Sequence, residues 1–532
     1  MILLLAAAVI MGHAGTASAH AVLISSSPTD GSRLDRMPTR ISLHFDESVG
    51  IASDAATVLD ASGNRVDNGT VRSADNGRTV IISMAPSVAG TEQHGRYLVS
   101  YRVISADSHV VTGSLRFGVG ESAGDTTSPP QPTDRAAAAV NGIATGLGYA
   151  GLILAVGTVA IALSVWRSAW RSPRLWRLTL LGSVTIIVGA IVQLITSGSE
   201  IGSVRTVAQT LPGRLLQLRI LLAAITAPLS WGVLRSRTRP DVGWLRWCWV
   251  IASAGLIVVV AAHGHASSGE DRPVALLATT GHLLAMCGWV GGLVVLSIII
   301  VPRLLTASRA GRSGAGRIVA RLLSSWSRLA FGCVAVLIVS GEVLAWRQVQ
   351  PIEALWRTSY GVTLLIKLGL VVLSLAVALF NNRMVAASRR WVRPPIAFTV
   401  ELSIMAAVII AATVLSSSRP AVDSYGPAVS ISRPIASGQL RVDIDPTHRG
   451  PQSITVAAVD GAGRSVRLRS LSGRLSSPGA GVSAVDVSFR RTADGWQSTD
   501  AIAPLPGTWQ LQLSAGVTGG PAYVVTTDYQ VW

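Results

Sequence analysis

The chain has 532 residues, enough for several domains, and 49% of them are hydrophobic while only 14% are charged. A formal charge of +17 at pH 7 raises the possibility of a nucleic-acid partner, which the placement of the basic residues then excludes. The three cysteines, Cys248, Cys287 and Cys333, all lie in apolar runs, so the polar ends of the chain hold no disulfide framework and must stand on hydrophobic cores.

The chain opens with MILLLAAAVIMGHAGTAS, a short apolar run followed by small and polar residues. Ala17-Ser18-Ala19 has the form that signal peptidase cuts after, so residues 1–19 are expected to be a signal peptide and His20 the new N-terminus. The run is too short to span a bilayer, which takes about 20 residues. In residues 20–120 the stretches ISLHFDESV, ATVLDASGNRV, RTVIISM and GRYLVSYRVIS alternate apolar with polar residues. Turn signals at Asp30-Gly31 and Ser62-Gly63-Asn64 separate strands, and the pattern predicts an all-β, Ig-like or Greek-key sandwich. ESAGDTTSPPQPTDR is polar and carries three prolines, so residues 121–140 are read as a linker.

Eight apolar runs follow, at 141–165, 176–198, 214–234, 244–263, 275–301, 324–346, 361–380 and 396–416, and they predict an eight-helix transmembrane bundle over 141–416. Arg167, Arg171, Arg174 and Arg177, the arginines between 235 and 246, those between 303 and 328, and Arg383, Arg389, Arg390 and Arg393 fall in alternate loops. The opposite loops hold only Arg205, Arg214, Arg272, Arg347 and Arg357. Positive-inside asymmetry therefore puts both ends of the chain on the extracytoplasmic side of a plasma membrane, in agreement with the signal peptide. The basic charge is topological, and no nucleic-acid partner is expected. Residues 420–532 return to strand patterning in QLRVDIDP, QSITVAAVD, RSVRLRSL, VSAVDVSF, TWQLQLS and AYVVTTDYQVW, which predicts a second external all-β sandwich. It contains no G-x-S-x-G, H-E-x-x-H or Gly-rich phosphate loop.

A terminal histidine offers two nitrogens from one residue, its α-amine and its imidazole, and nitrogen-rich tetragonal ligation suits Cu(II). SADSHVVTGSLRF supplies Asp107 and His109, whose spacing of two puts both on one face of a strand. Three nitrogens and one carboxylate then complete a Cu(II) site. The same residues also fit a turn cap and an ordinary chain terminus, and spacing alone does not choose between these readings.

HAVLISSSPTDGSRLDRMPTRISLHFDESV and SADSHVVTGSLRF together resemble the bacterial CopC family of copper-resistance proteins. That resemblance implies Cu(II) binding by the mature N-terminal histidine with an aspartate and a histidine of the second motif, here His20, Asp107 and His109. Met37 and Met84 are isolated, so the Met-rich Cu(I) loop of some relatives is absent, and His44 and His94 match no ligand motif. The segments AAHGHASSG, GHLLAMCGWVGGL, TSYGVTLLIKLGLVVLSLAVALFNNR and ELSIMAAVIIAATVLSSSRP resemble the CopD family, which implies copper uptake across the membrane. The last region more loosely resembles the YtkA-like module.

Ionisable residues inside hydrocarbon are costly and so mark candidate sites. His263 and His265 fall at the outer end of the fourth run, while His282 falls about two turns into the fifth, with Met286 and Trp289 at i+4 and i+7. His265, His282 and Met286, with Cys287 beside them, form a possible copper path, although a hydrogen bond from His282 to a neighbouring helix and plain packing by the sulfur residues account for them equally. Gly288 and Gly292 form a small-xxx-small pair for close helix approach. Glu342 and Lys367 are expected to form an ion pair, Glu401 to meet the arginines before it, and Asp443, Asp445 and His448 to lie on a strand entering a turn. The expected function is capture of Cu(II) outside the cytoplasm and transport of copper across the plasma membrane, not enzymatic catalysis. Copper ions, the lipid bilayer and other copper-handling proteins are the expected partners. The rival readings are a membrane-anchored copper buffer or sensor and, from the paired histidines, an oxidative copper enzyme.

Overall fold

The structure, a computed structural model, describes residues 21–105, 110–120, 135–166, 169, 172–201, 203–235, 243–263, 272–302, 315–388, 394–435 and 438–532, apart from 22, 31, 46, 463, 481, 494, 499, 500, 504, 519 and 520. The helices form one unit, Thr133–Pro420, and the strands before and after them in the chain belong to a second.

In the N-terminal region β1 (Leu23–Ser27), β3 (Arg40–Phe45), β6 (Thr79–Met84) and β5 (Asp67–Ala74) form one sheet in that order. The other runs β2 (Ser32–Leu34), β8 (Val110–Val119), β7 (Gly95–Ile104) and β4 (Gly50–Asp60). Strict alternation along β3 and β6 buries Ile41, Leu43, Phe45, Val80 and Ile82 while their neighbours face outward, the signature of a sheet covered on one side. The Phe45 ring meets Tyr101 of the second sheet edge-on at 5.7 Å, and Tyr97 stacks on Phe117 at 5.2 Å. The predicted turn after β4 forms: Asp60 accepts from the backbone N–H groups of Ser62 and Asn64, and Gly63 takes φ +83°.

After the helices come β9 (Val429–Ile435), β10 (Gly438–Asp445), β11 (Gly450–Pro451), β12 (Ser453–Val459), β13 (Ser465–Val466), β14 (Leu468–Ser477) and β15 (Val482–Val487). They are followed by β16 (Phe489–Thr492), β17 (Gly495–Ser498), β18 (Ile502–Ala503), β19 (Gly507–Val517) and β20 (Ala522–Val531). One sheet runs β16-β17-β12-β10-β9 with β13 beside β12, a second runs β15-β14-β19-β20, and β11 pairs with β18. A single core joins the two large sheets, with Leu440, Val442, Ile444, Ile454 and Val456 from one and Leu475, Trp509, Leu511 and Leu513 from the other.

Among the described residues eight helices are long and apolar enough to cross a membrane: α1 (Ala139–Ser164), α2 (Pro173–Ser199), α3 (Leu211–Arg235), α4 (Gly243–Ala262), α5 (Pro273–Ile300), α6 (Ser325–Gln348), α7 (Ser359–Asn381) and α8 (Thr399–Ser417). They correspond one for one to the eight predicted runs. Helix α5 is central and packs on α1, α4, α6 and α8, whereas α6 rests mainly on α5 and α7 mainly on α8. The buried share of the most apolar window is 72% in α5, 6% in α6 and 11% in α7, so the last two lie at the periphery. Single π-helical turns interrupt α1 at Ile153–Gly157 and α5 at Leu296–Ile300. At Gly157 the two helices touch backbone to backbone: a Cβ on Gly291 would lie 2.7 Å from the Gly157 carbonyl carbon. Gly288 and Gly292 do serve close approach, and their partner is α6, where they meet Cys333 and Trp326.

Candidate metal centre and membrane path

His20, Asp107 and His109 lie outside the described residues, as does His265. The described chain resumes at Ala21 after the first and brackets the other two at Ser105 and Val110. Ala21 is buried, Ser105 is buried at the end of β7, and β8 begins at Val110. Asp30 accepts the backbone N–H of Arg116 at 2.6 Å, β2 runs parallel to β8 with Ser32 opposite Phe117, and Leu34 accepts from Gly120 at 2.7 Å. The chain from Asp30 to Leu34 therefore travels beside Arg116 to Gly120 in the same direction. Tyr101, next to this seam, is buried, and burial together with the negative Asp30 pushes its phenol up to about 12.

His44, Asp443 and His448 in the β-regions are each engaged elsewhere. Nδ1 of His44 is 2.9 Å from the Thr79 hydroxyl on the outer face of β3. Asp443 bonds to Arg441, and Nδ1–H of His448 donates to the Arg449 carbonyl at 2.8 Å, so DIDPTH is a strand entering a turn, as expected. Among the described residues no group of three or more His, Cys, Asp or Glu side chains is positioned to share a metal.

In the bundle, Nδ1 of His282 on α5 lies 2.9 Å from the Ser340 hydroxyl on α6. The same hydroxyl lies 2.6 Å from the Val336 carbonyl one turn back on α6. Ser340 thus ties one ring nitrogen, Nδ1, to α6, and leaves Nε2 as the ring's second nitrogen. Met286 packs partly buried against the bundle core, and Cys287 and Trp289 are buried within it. The Cys287 carbonyl faces Gly157, so its position is set by helix packing.

One expectation about charges changes. Glu342 is exposed on α6, Lys367 is half-buried on α7, and no ion pair joins them, because each helix packs on a different neighbour instead of on the other. Glu401 is buried; of the arginines before it Arg383 is exposed, and Arg389, Arg390 and Arg393 lie outside the described residues. Sequence reading also passed over Arg219, a cation in the interior of the third apolar run that is only 3% exposed. Its signal was in plain view, since an arginine in the middle of LQLRILL is a candidate by position alone.

All-β regions before and after eight apolar helices define a multi-pass membrane protein. A family model described as the CopC domain matches residues 23–120, and one described as copper resistance protein D, CopD, matches residues 320–415. The copper transport protein CutJ of Bacillus subtilis (strain 168) is 25% identical over 475 residues, which cover 85% of this chain and 84% of CutJ. Copper resistance protein C of Pseudomonas syringae pv. tomato is 38% identical over 110 residues, 19% of this chain and 82% of that protein. The crystal structure of CopC from Methylosinus trichosporium OB3b matches at 25% identity and a TM-score of 0.16, covering 19% of this chain and 93% of that one. That of PcoC from Escherichia coli matches at 26% and 0.17, covering 19% and 99%. The chain belongs to the CopC copper-resistance family and carries a CopC and a CopD match in one polypeptide. The segments 261–269 and 281–293, which hold His263, His265 and His282, fall outside the CopD match.

Proposed function

We propose that this protein captures Cu(II) outside the cytoplasm and passes copper across the plasma membrane. Residues 20–120 act as the receptor, with the α-amine and imidazole of His20, the Asp107 carboxylate and the His109 imidazole as ligands. The bundle over 141–416 is the conduit, His265 and His282 take up the ion near its outer mouth, and Met286 assists from one turn further along α5. Residues 420–532 stand on the same outer side as an accessory domain. The observation that carries this reading is the union of a CopC and a CopD domain in one chain, with a relative named for copper transport aligned over most of its length. The contact of His282 Nδ1 with Ser340 holds the ring across α5 and α6 and leaves Nε2 as the nitrogen for a ligand. Copper is the cargo in this reading, and no resident cofactor or catalytic group is required.

Because an amine and two imidazoles must shed protons to bind, capture weakens in acid. N-terminal sequencing of the mature protein is expected to begin at His20. Copper accumulation by cells or vesicles is the decisive test: His282→Ala should abolish uptake while leaving Cu(II) binding by the receptor intact. Equal uptake by His282→Ala and the wild type would leave a membrane-anchored buffer or sensor as the correct account.

A further inference from the structure

The start of α2 and the end of α3 lie side by side, and an aromatic and basic corner is built there. The Trp231 ring of α3 stands 6.2 Å from the Trp176 ring of α2, tilted by 50°. One turn past Trp231, Cζ of Arg235 sits over that ring, 4.9 Å from its centroid. Trp231, Arg235 and Arg177 are exposed, whereas Arg174 is already spent on the Ile298 carbonyl at 3.1 Å. The corner is held from behind, because Trp249 of α4 donates to the hydroxyl of Ser230, the residue before Trp231, at 2.9 Å.

Indoles commonly line both surfaces of a membrane protein, but on these helices they are one-sided. α2, α3 and α4 carry Trp176, Trp231, Trp244 and Trp247 at this end, while residues 195–215 and 258–275, which cover their opposite ends, contain neither Trp nor Tyr. Charge is just as one-sided: residues 167–177 and 235–246 hold eight arginines and one acid, Asp241. Among the described residues neither Arg177 nor Arg235 is in an ion pair. Stacking uses the flat face of a guanidinium and leaves free its N–H edge, which grips a phosphate through two parallel hydrogen bonds. A guanidinium already held on a ring also loses less freedom when it binds. Further along α2 the surface turns apolar, with Leu180 and Val184 exposed at i+4 and i+8 from Trp176. Cation, indole and apolar stripe thus follow one another in the order of the headgroup, ester region and acyl chain of a phospholipid.

We infer that the corner of Trp176, Trp231 and Arg235, with Arg177 beside it, docks an anionic phospholipid, its phosphate on the Arg235 guanidinium and an acyl chain along Leu180 and Val184. A soluble phosphate ester has no use for the apolar stripe, and the amine of a zwitterionic lipid meets a surface rich in arginine. The site shares no residue with the copper ligands, so it stands or falls independently of copper transport.

Native mass spectrometry of the full-length protein, equilibrated in detergent with equal amounts of phosphatidylglycerol and phosphatidylcholine, tests the assignment. The wild type is expected to retain phosphatidylglycerol in preference, and Arg235→Gln to bind it about fivefold more weakly. Arg246→Gln, on α4 and outside the corner, should bind it as the wild type does. Equal retention of the two lipids by the wild type, or the same affinity in Arg235→Gln and Arg246→Gln, overturns the site. Displacement of the lipid by an equal concentration of inorganic phosphate assigns the corner to a free anion and likewise overturns it. Should Arg235→Gln fail to fold, the wild type decides: phosphatidylglycerol with a photoreactive acyl chain should label α2 around Leu180 and Val184, and labelling spread evenly over the eight helices overturns the site.

Discussion

In the N-terminal sandwich Ile41, Leu43, Phe45, Val80 and Ile82 are lost completely from solvent, and in the C-terminal sandwich Leu440, Val442, Ile444, Trp509 and Leu511 are lost in the same way. Both achieve this with alternating strands and without a disulfide, the three free cysteines being in helices. Their polar side chains differ in employment. In the C-terminal domain Asp443 and His448 are tied to Arg441 and to the Arg449 carbonyl, whereas in the sequence the proposed ligand residues of the N-terminal motif stand just before β1 and β8. Stability in such domains comes from the faces of strands and metal chemistry from what is attached to their ends, so one architecture serves with or without a ligand set.

Separate destabilisation and ligand removal should therefore divide cleanly between the two domains. Trp509→Ala empties the largest fully buried site of the C-terminal core and should cost about 3–5 kcal/mol in denaturant unfolding. Cu(II) affinity should not change, and a fall would break the separation. His109→Ala should weaken Cu(II) binding by about 100-fold, roughly 2.7 kcal/mol, in calorimetry, while Asp443→Asn and His448→Ala leave it unchanged. Alkaline pH sharpens the contrast from the N-terminal side. The Tyr101 phenol is raised from its ordinary value of 10 to about 12, so its contribution is fully present below pH 10 and lost as pH climbs through 12. The expected loss is at most about 2–3 kcal/mol, and Tyr101→Phe should flatten the stability profile over that range. The smallest change is Tyr529→Phe in the other domain, which removes the 2.6 Å donation to Gln452 Oε1 and should cost about 1 kcal/mol by thermal unfolding.

The eight apolar runs were legible to within a few residues because twenty consecutive apolar side chains are a signal no tertiary context is needed to read. Strands with clean alternation, such as β3, β10 and β19, were equally open. The hairpin of β16 and β17 was not, since two four-residue strands hold too few periods, and β9 was missed because Arg433 and Pro434 break its pattern. The π-helical turns in α1 and α5 left no trace in the residue pattern. For the candidate path, the sequence indicated His282 and one of its two roles, a bond to another helix, but Ser340 is 58 positions away and only folding brings it near. The expected pairing of Glu342 with Lys367 failed for the same reason in reverse, since similar depth on consecutive helices does not put two side chains on facing surfaces.

The bare contact of Gly157 with Gly291 leaves no side chain to be compressed or re-oriented between α1 and α5. Two helices joined that closely resist sliding, because every shift drives backbone into backbone. By contrast α7, with 11% of its most apolar window buried, gives up little buried surface when it tilts. Movement within this bundle is therefore borne more easily by that outer helix than by the α1–α5 post, to which α6 is also held where Gly288 and Gly292 admit Cys333 and Trp326.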